Sequence, residues 1–182
     1  IPLPERRVYL KIDNDNIDDF IDLSSNLNGI LKSVGVAELL IDSVGVTNIY
    51  MTCVGTDKIV NEKLLEIKTI LFDHNTDLVL KEIEEKEWLK VQDFGWINEG
   101  NFVLGRINCL PTETVEILQQ MNHLISNNKK QKISTLSNSK RGVIKYLLNS
   151  VNIEDATQMI ENIRDKVQEF SGYTVVETSR SV

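Results

Sequence analysis

The sequence predicts an α+β fold in which a broad antiparallel sheet carries about four helices on one face. Two observations lead to this prediction. The order strand, helix, strand, strand, helix, strand occurs twice along the chain, and each predicted helix has one apolar face. This is the split βαβ order, whose crossover helices fall on one face of the sheet. Two tandem ferredoxin-like halves joined side by side therefore give one wide sheet.

The first half is predicted to cover residues 1–84. In its predicted strands apolar and polar residues alternate, whereas in its predicted helices the apolar residues recur at helical spacing. In order, the strands are predicted at 7–12, 34–41, 47–54 and 78–80, and the helices at 14–27 and 57–74. Asp42-Ser43-Val44-Gly45 separates the second and third strands and is typical of a hairpin turn.

The second half is predicted to cover residues 101–182 and to repeat this order. Pro111 opens its first helix, and Asn152 lies where the second helix begins. Gly172 ends that helix and precedes a closing strand. In order, the strands are predicted at 102–110, 132–136, 142–148 and 173–176, and the helices at 111–125 and 152–170.

Residues 85–100 are predicted to connect the halves, so that the three segments make one domain. Both tryptophans of the chain, Trp88 and Trp96, lie in this connecting segment. Large aromatic side chains contribute most where structural elements join, which favours a role in covering the seam between the halves. The alternative is that they form the wall of a ligand pocket. Arg106, in the strand that follows, is a candidate partner for a carboxylate.

Composition and charge exclude several classes of function. The 182 residues carry a formal net charge of −7, which argues against general binding to nucleic acid. No apolar run approaches the length of a membrane span and no signal peptide is visible, so a cytoplasmic location is expected. Cys53 and Cys109 lie in apolar predicted strands without the spacing of a zinc or redox site, which favours free buried thiols over a disulfide.

The sequence contains no catalytic signature that we recognise. Gly-rich phosphate loops and nucleophile elbows are absent. His74 and His123 have no companions at ligand spacing, and Asp13-Asn14-Asp15-Asn16 lacks the later positions of a calcium loop, so no metal site is predicted. The catalytic residues are therefore unknown at this point, and the order of elements indicates a scaffold and not a reaction.

Several short, mostly apolar stretches together cover nearly the whole chain. They are Leu3-Pro4-Glu5, the strand Val36 to Asp42, Val54-Gly55 with the helix after it, Trp88 to Phe94, the strand Val103 to Ile107 followed by Leu110-Pro111, and Ile163 to Glu177. These stretches resemble the C-terminal cap domain of FAD-linked oxidases, and the glycolate oxidase FAD-binding subunit in particular.

This resemblance implies a domain that is inert alone. In such oxidases the helix-free face of the cap covers a flavin that a separate domain holds, and the flavin carries the redox chemistry. The implied cofactor is therefore FAD, bound mainly by an N-terminal domain absent here, and the implied partners are that domain, upstream or in another subunit, and a small-molecule substrate. The His-Gly-Asp-Gly-Asn type motif of the D-lactate and glycolate dehydrogenase branch is absent, so a 2-hydroxy-acid substrate is not expected.

The resemblance makes Arg106, Trp88 and Trp96 the candidates for side chains that face substrate or flavin. The first residue is Ile1 and not Met, from which we expect that a further segment precedes it. The competing hypothesis is a non-enzymatic ferredoxin-like module that binds a ligand or directs assembly. The helix-free face of the sheet discriminates between the two, because a large apolar patch there would require a covering partner.

Overall fold

The α+β class and the broad antiparallel sheet are confirmed by a computed structural model, which describes residues 5–14, 17–41, 47–74, 78–92, 101–127, 131–149 and 152–180. The strands are β1 Arg6–Asn14, β2 Gly35–Ile41, β3 Thr47–Gly55, β4 Leu80–Ile83, β5 Phe102–Asn108, β6 Lys132–Asn138, β7 Val143–Asn149 and β8 Tyr173–Arg180. The helices are α1 Ile17–Ile30, α2 Asp57–His74, α3 Glu85–Gln92, α4 Thr114–Asn127 and α5 Ile153–Gln168, with 3₁₀ turns at Pro111–Glu113 and Ser139–Arg141.

The eight strands form one sheet in the order β4-β1-β3-β2-β6-β7-β5-β8, and every neighbouring pair is antiparallel. Strands of the first half occupy one side of this order and strands of the second half the other. They meet where β2 pairs with β6, and we call this β2–β6 pairing the seam. The seam places Leu39 opposite Ser137, Leu40 opposite Leu136 and Ile41 opposite Thr135.

One face of the sheet is covered by α1, α2, α4 and α5, as the apolar faces of these helices predict. Alternation along each strand sends every second side chain into this core, where Phe20 of α1 and Tyr146 of β7 are fully buried. The same core includes side chains from both halves: four helices and six strands supply its buried residues, and Leu80 of β4 packs against it.

Two residues of the second half fix the starts of elements. Asn152 is the N-cap of α5, and its side-chain oxygen accepts a hydrogen bond of 2.8 Å from the Asp155 backbone N–H. Gly142 has φ of +63°, and a Cβ there would overlap the Cys109 carbonyl oxygen. Only glycine therefore fits this turn before β7.

The connecting segment contains a short helix that was not among the four helices predicted from apolar periodicity. Residues 85–92 form α3, which lies on the sheet face opposite the other four helices. Its buried residues, Trp88 and Val91, are three positions apart and lie on one side of the helix.

The predicted hairpin residues 42–45, together with Phe94 and Trp96, lie outside the described residues. The segment boundaries at 84/85 and 100/101 stay predictions.

Both cysteines are free, with Cys53 buried and Cys109 half-buried. Burial raises the pKa of each thiol, which keeps both in the neutral, weakly reactive form. Among the described helices, none has the length and apolar character needed to cross a bilayer.

Candidate functional site

We call the sheet face opposite α1, α2, α4 and α5 the helix-free face, although the short helix α3 lies across part of it. Successive side chains of a strand point to opposite faces of the sheet, so those that alternate with the main-core residues lie on this face. They include Tyr9, Lys11, Thr52, Arg106, Lys145 and Leu147. The face therefore carries both aromatic and cationic groups, and Lys11 Nζ lies 5.6 Å from the centroid of the Tyr50 ring.

The apolar part of the helix-free face is covered by α3. Trp88 is 5% exposed, and its ring centroid lies 5.8 Å from that of Tyr9. The surrounding cluster draws on both halves of the chain and crosses the seam. Its buried members are Tyr9, Leu40, Tyr50, Trp88, Val91, Leu136 and Leu147. Trp88 thus belongs to a cluster with members from both halves, and its role at the seam stays a prediction.

Polar contacts hold α3 to the sheet near both of its ends. The Tyr9 hydroxyl donates a hydrogen bond of 2.6 Å to the Glu85 carboxylate at the start of the helix. At the other end, Lys145 Nζ donates to the Gln92 carbonyl oxygen at 3.1 Å. A carbonyl in the last turn has no intrahelical donor, so a lysine ammonium group is a favourable partner for it. These contacts place Gln92 at the border between the apolar cluster and the polar part of the face.

A cavity of about 290 Å³ lies beside the C-terminal end of α3, on the same face. We call it the Glu38 cavity. Its lining comes from both halves and from six separate elements of the fold, so it is assembled only in the complete sheet. The lining residues are Glu38, Gln92, Arg106, Leu136, Asn138, Arg141, Val143 and Lys145.

The Glu38 carboxyl is the most perturbed titratable group of this cavity. Burial raises the pKa of Glu38 to about 7, against the smaller opposing effects of the Asn138 hydrogen bond and the charges of Arg141 and Lys145. Asn138 Nδ2 donates to Glu38 Oε1 at 3.0 Å, and Asn138 Oδ1 accepts from the Arg141 backbone N–H at 3.1 Å. The amide therefore has a fixed orientation and presents a donor to Glu38.

Arg106 lies in the cavity wall, opposite Lys145 in the β5–β7 register. Its Nε is 3.3 Å from Glu177 Oε1 of β8, and its side chain is 42% exposed. The two atoms are close, but the buried Nε makes no aligned hydrogen bond within the described part of the chain. The exposed part of the side chain leaves some of the guanidinium group accessible at the cavity wall.

The sequence candidates separate in the structure. Arg106 lines the Glu38 cavity, Trp88 lies in the neighbouring apolar cluster and is absent from the cavity lining, and Trp96 is outside the described residues. Sequence reasoning did not single out Glu38 or Asn138 as site residues. The signal that could have identified this site is Glu38 itself, the one charged residue in the otherwise apolar stretch 36–41, because a carboxylate in such a strand needs a polar partner. Within the described residues, no group of His, Cys, Asp and Glu has the arrangement of a metal site.

No protein-family model matches the chain, and no curated protein matches its sequence. Solved structures do match it in three dimensions. The alkyldihydroxyacetonephosphate synthase structure has a TM-score of 0.61 at 8% identity, over 93% of this chain and 40% of that one. CrmK, a flavoenzyme of caerulomycin biosynthesis, has a TM-score of 0.54 at 11% identity, over 92% and 42%.

A VAO-type flavoprotein from Myceliophthora thermophila C1, MtVAO615, has a TM-score of 0.51 at 11% identity, over 93% of this chain and 40% of that one. The chain shares a fold with parts of flavoproteins. It spans less than half the length of each of these three proteins. At such identities the likeness concerns the fold alone, and residue roles must come from the geometry of this chain.

Proposed function

We propose that this chain is the cap, or substrate-side domain, of an FAD-dependent oxidoreductase, and that it is inert without an FAD-binding domain. The observation that carries the proposal is the fold shared with flavoproteins over more than 90% of the chain. The polar half of the helix-free face supports it, because cationic donors there surround a cavity of ligand size. The finer proposal, from the motifs quoted above, is a glycolate-oxidase-like subunit.

The residues of the helix-free face fit a cofactor that presents acceptor oxygens and nitrogens. The Arg106 side chain is 42% exposed at the cavity wall, and the Lys145 side chain, whose ammonium group also donates to the Gln92 carbonyl oxygen, lines the same wall. When bound, FAD would supply the redox chemistry. In this proposal Arg106 and Lys145 hold acceptor groups of flavin or substrate, the wall around them excludes water, and most of the cofactor contacts belong to the FAD-binding domain.

The first test is spectroscopic. The uninterrupted parent reading frame, including whatever precedes Ile1, is expressed and purified, and its visible absorption spectrum is recorded. We expect flavin absorption bands that are lost when the upstream part is removed. A full-length protein that is colourless and does not bind added FAD would contradict the proposal.

Replacing Arg106 with Ala is expected to raise KM of the full-length enzyme about tenfold or more, because a charge-assisted hydrogen bond to a substrate carboxylate contributes roughly 1.5–3 kcal/mol. The free energy of unfolding should fall by about 1 kcal/mol, since both side chains of the Arg106–Glu177 ion pair remain partly exposed, at 42% and 29%. Steady-state kinetics and urea denaturation measure the two effects.

Arg6→Ala is the matched control for this variant. Arg6 is also a strand arginine with an ion pair, to Asp57, and its side chain is 39% exposed, but its partners belong to α2 on the other side of the sheet. KM should be unchanged in Arg6→Ala. If Arg106→Ala also leaves KM unchanged, Arg106 does not contact the substrate.

The second candidate function is a non-enzymatic ligand-binding or assembly module. The observation in its favour is that α3 already buries the apolar cluster of the helix-free face, so this cluster does not require a partner domain to cover it. The spectrum of the parent protein separates the two candidates, since only the oxidoreductase requires flavin.

A further inference from the structure

The Glu38 cavity combines positive charge with one neutralisable carboxyl group. Arg106, Arg141 and Lys145 contribute three cations, and Glu177, the partner of Arg106, contributes one anion. With Glu38 protonated the group has an excess of two positive charges, and with Glu38 ionised the excess is one. The cavity therefore has the charge to hold a small anion in either state, and more so in the first.

We propose that the Glu38 cavity is a binding site for a small carboxylate anion, and that the protonated Glu38 carboxyl donates a hydrogen bond to it. The arginine forks and the lysine ammonium neutralise the charge of the ligand, and the Glu38 proton occupies one of its lone pairs. The site is a property of this chain alone and does not require FAD, so anion binding and flavin binding can fail separately.

The direction of the pH dependence follows from Glu38. Because its pKa is raised to about 7, the carboxyl is mostly neutral below that pH and mostly ionised above it. An ionised Glu38 has no proton to donate and repels the bound anion. If only the protonated form binds, the dissociation constant rises about tenfold between pH 6 and pH 8, because the competent fraction falls by that factor.

Other titratable groups also surround Glu38. They come from each element packed against it and are Tyr50 of β3, Arg106 of β5, Arg141 of the second 3₁₀ turn and Lys145 of β7, with Lys11 of β1 and Glu87 of α3 beyond Tyr50. Burial raises the pKa of Tyr50, so its hydroxyl stays protonated. Glu38 is then the group whose titration changes the anion affinity of the cavity.

The experiment uses acetate as the probe, since its charge is constant between pH 6 and pH 8. Acetate is titrated into the ¹⁵N-labelled chain at both pH values at constant ionic strength, and the amide shifts of residues lining the cavity are followed. We expect saturable shifts there and a dissociation constant about ten times higher at pH 8. Sulfate, titrated in the same way, separates a tetrahedral dianion from a planar carboxylate.

Three variants test the roles of the residues. Glu38→Gln keeps a neutral donor at this position, so it should bind acetate with the same affinity at both pH values. Glu82→Gln, which changes an exposed glutamate of β4, should keep the pH dependence of the native chain. Arg141→Ala, a change at an exposed side chain that removes one cation from the cavity, should weaken acetate at pH 6, where Glu38 is mostly protonated with or without that charge.

The inference is overturned if saturating acetate leaves the cavity resonances unshifted, or if sulfate binds there more tightly than acetate. It is also overturned if Glu38→Gln retains the pH dependence. Should Glu38→Gln fail to fold, Arg141→Ala still decides, because unchanged affinity in that variant would place acetate outside the cavity.

Discussion

Replacing Trp88 with Ala is expected to lower the free energy of unfolding by about 3–5 kcal/mol, the usual cost of removing a fully packed large aromatic side chain. Trp88 is 5% exposed and packs against Tyr9 in a cluster with members from both halves of the chain. It is one of two buried residues in an eight-residue helix. A helix this short has little stability of its own, so its position depends on this contact.

Leu89→Ala is the control, because Leu89 is the next residue of α3 and is 49% exposed. Its expected effect is within about 0.5 kcal/mol. Urea denaturation followed by circular dichroism measures both variants. Equal effects of the two substitutions would show that α3 does not pack on the sheet through Trp88.

The loss in Trp88→Ala also extends to the Glu38 cavity. Gln92 lines that cavity from the last turn of α3, and its carbonyl oxygen accepts the Lys145 hydrogen bond. When the helix loses its main apolar contact, this hydrogen bond is lost as well. Leu89→Ala should leave it in place.

The Gly35→Ala substitution is expected to destabilise the fold by about 3 kcal/mol or more, at the upper end of the cost of overpacking. A Cβ at Gly35 would overlap the backbone carbonyl oxygen of Thr52, its diagonal neighbour on β3. Because the obstacle is backbone and not the end of a flexible side chain, β2 must move away from β3 to make room. The same urea titration measures the change.

Gly29→Ala provides the matched control within the same half of the chain. Gly29 is exposed near the end of α1, and a Cβ there would have no neighbour within 4 Å. Alanine has a higher helix propensity than glycine by about 1 kcal/mol, so this variant should be as stable as the native chain or slightly more stable. Destabilisation of both variants to the same degree would contradict the steric explanation.

The elements that the sequence predicted well are those with a complete local signal. The range of α2 agrees with the prediction at 57–74, since its apolar residues recur at helical spacing over its whole length. The strand predicted at 78–80 lies instead at Leu80–Ile83, because β4 is defined by pairing with β1, which local hydrophobicity does not report. The acidic run 81–87 indicates a strand end and a helix start, as β4 and α3 confirm, but α3 was not counted among the four helices because its apolar residues make less than one repeat of the pattern.

For the candidate site as well, features set within one strand could be predicted, and features set by the pairing of distant strands could not. Alternation along single strands was enough to place Arg106 and Lys145 on one face. Glu38 and Asn138 are 100 positions apart in the chain, and only the seam brings them together. No local pattern in one sequence specifies which strands of two similar halves will pair, so this part of the cavity could not be predicted.

The seam has a thermodynamic consequence for the whole sheet. Glu38 belongs to the first half, while Asn138, Lys145 and Arg106 belong to the second, so neither half can form the cavity by itself. A ligand that binds only the assembled cavity stabilises the folded chain by mass action, since it has no comparable affinity for separated or unfolded halves. Occupancy of the cavity and cohesion of the two halves are therefore linked, and each increases the other.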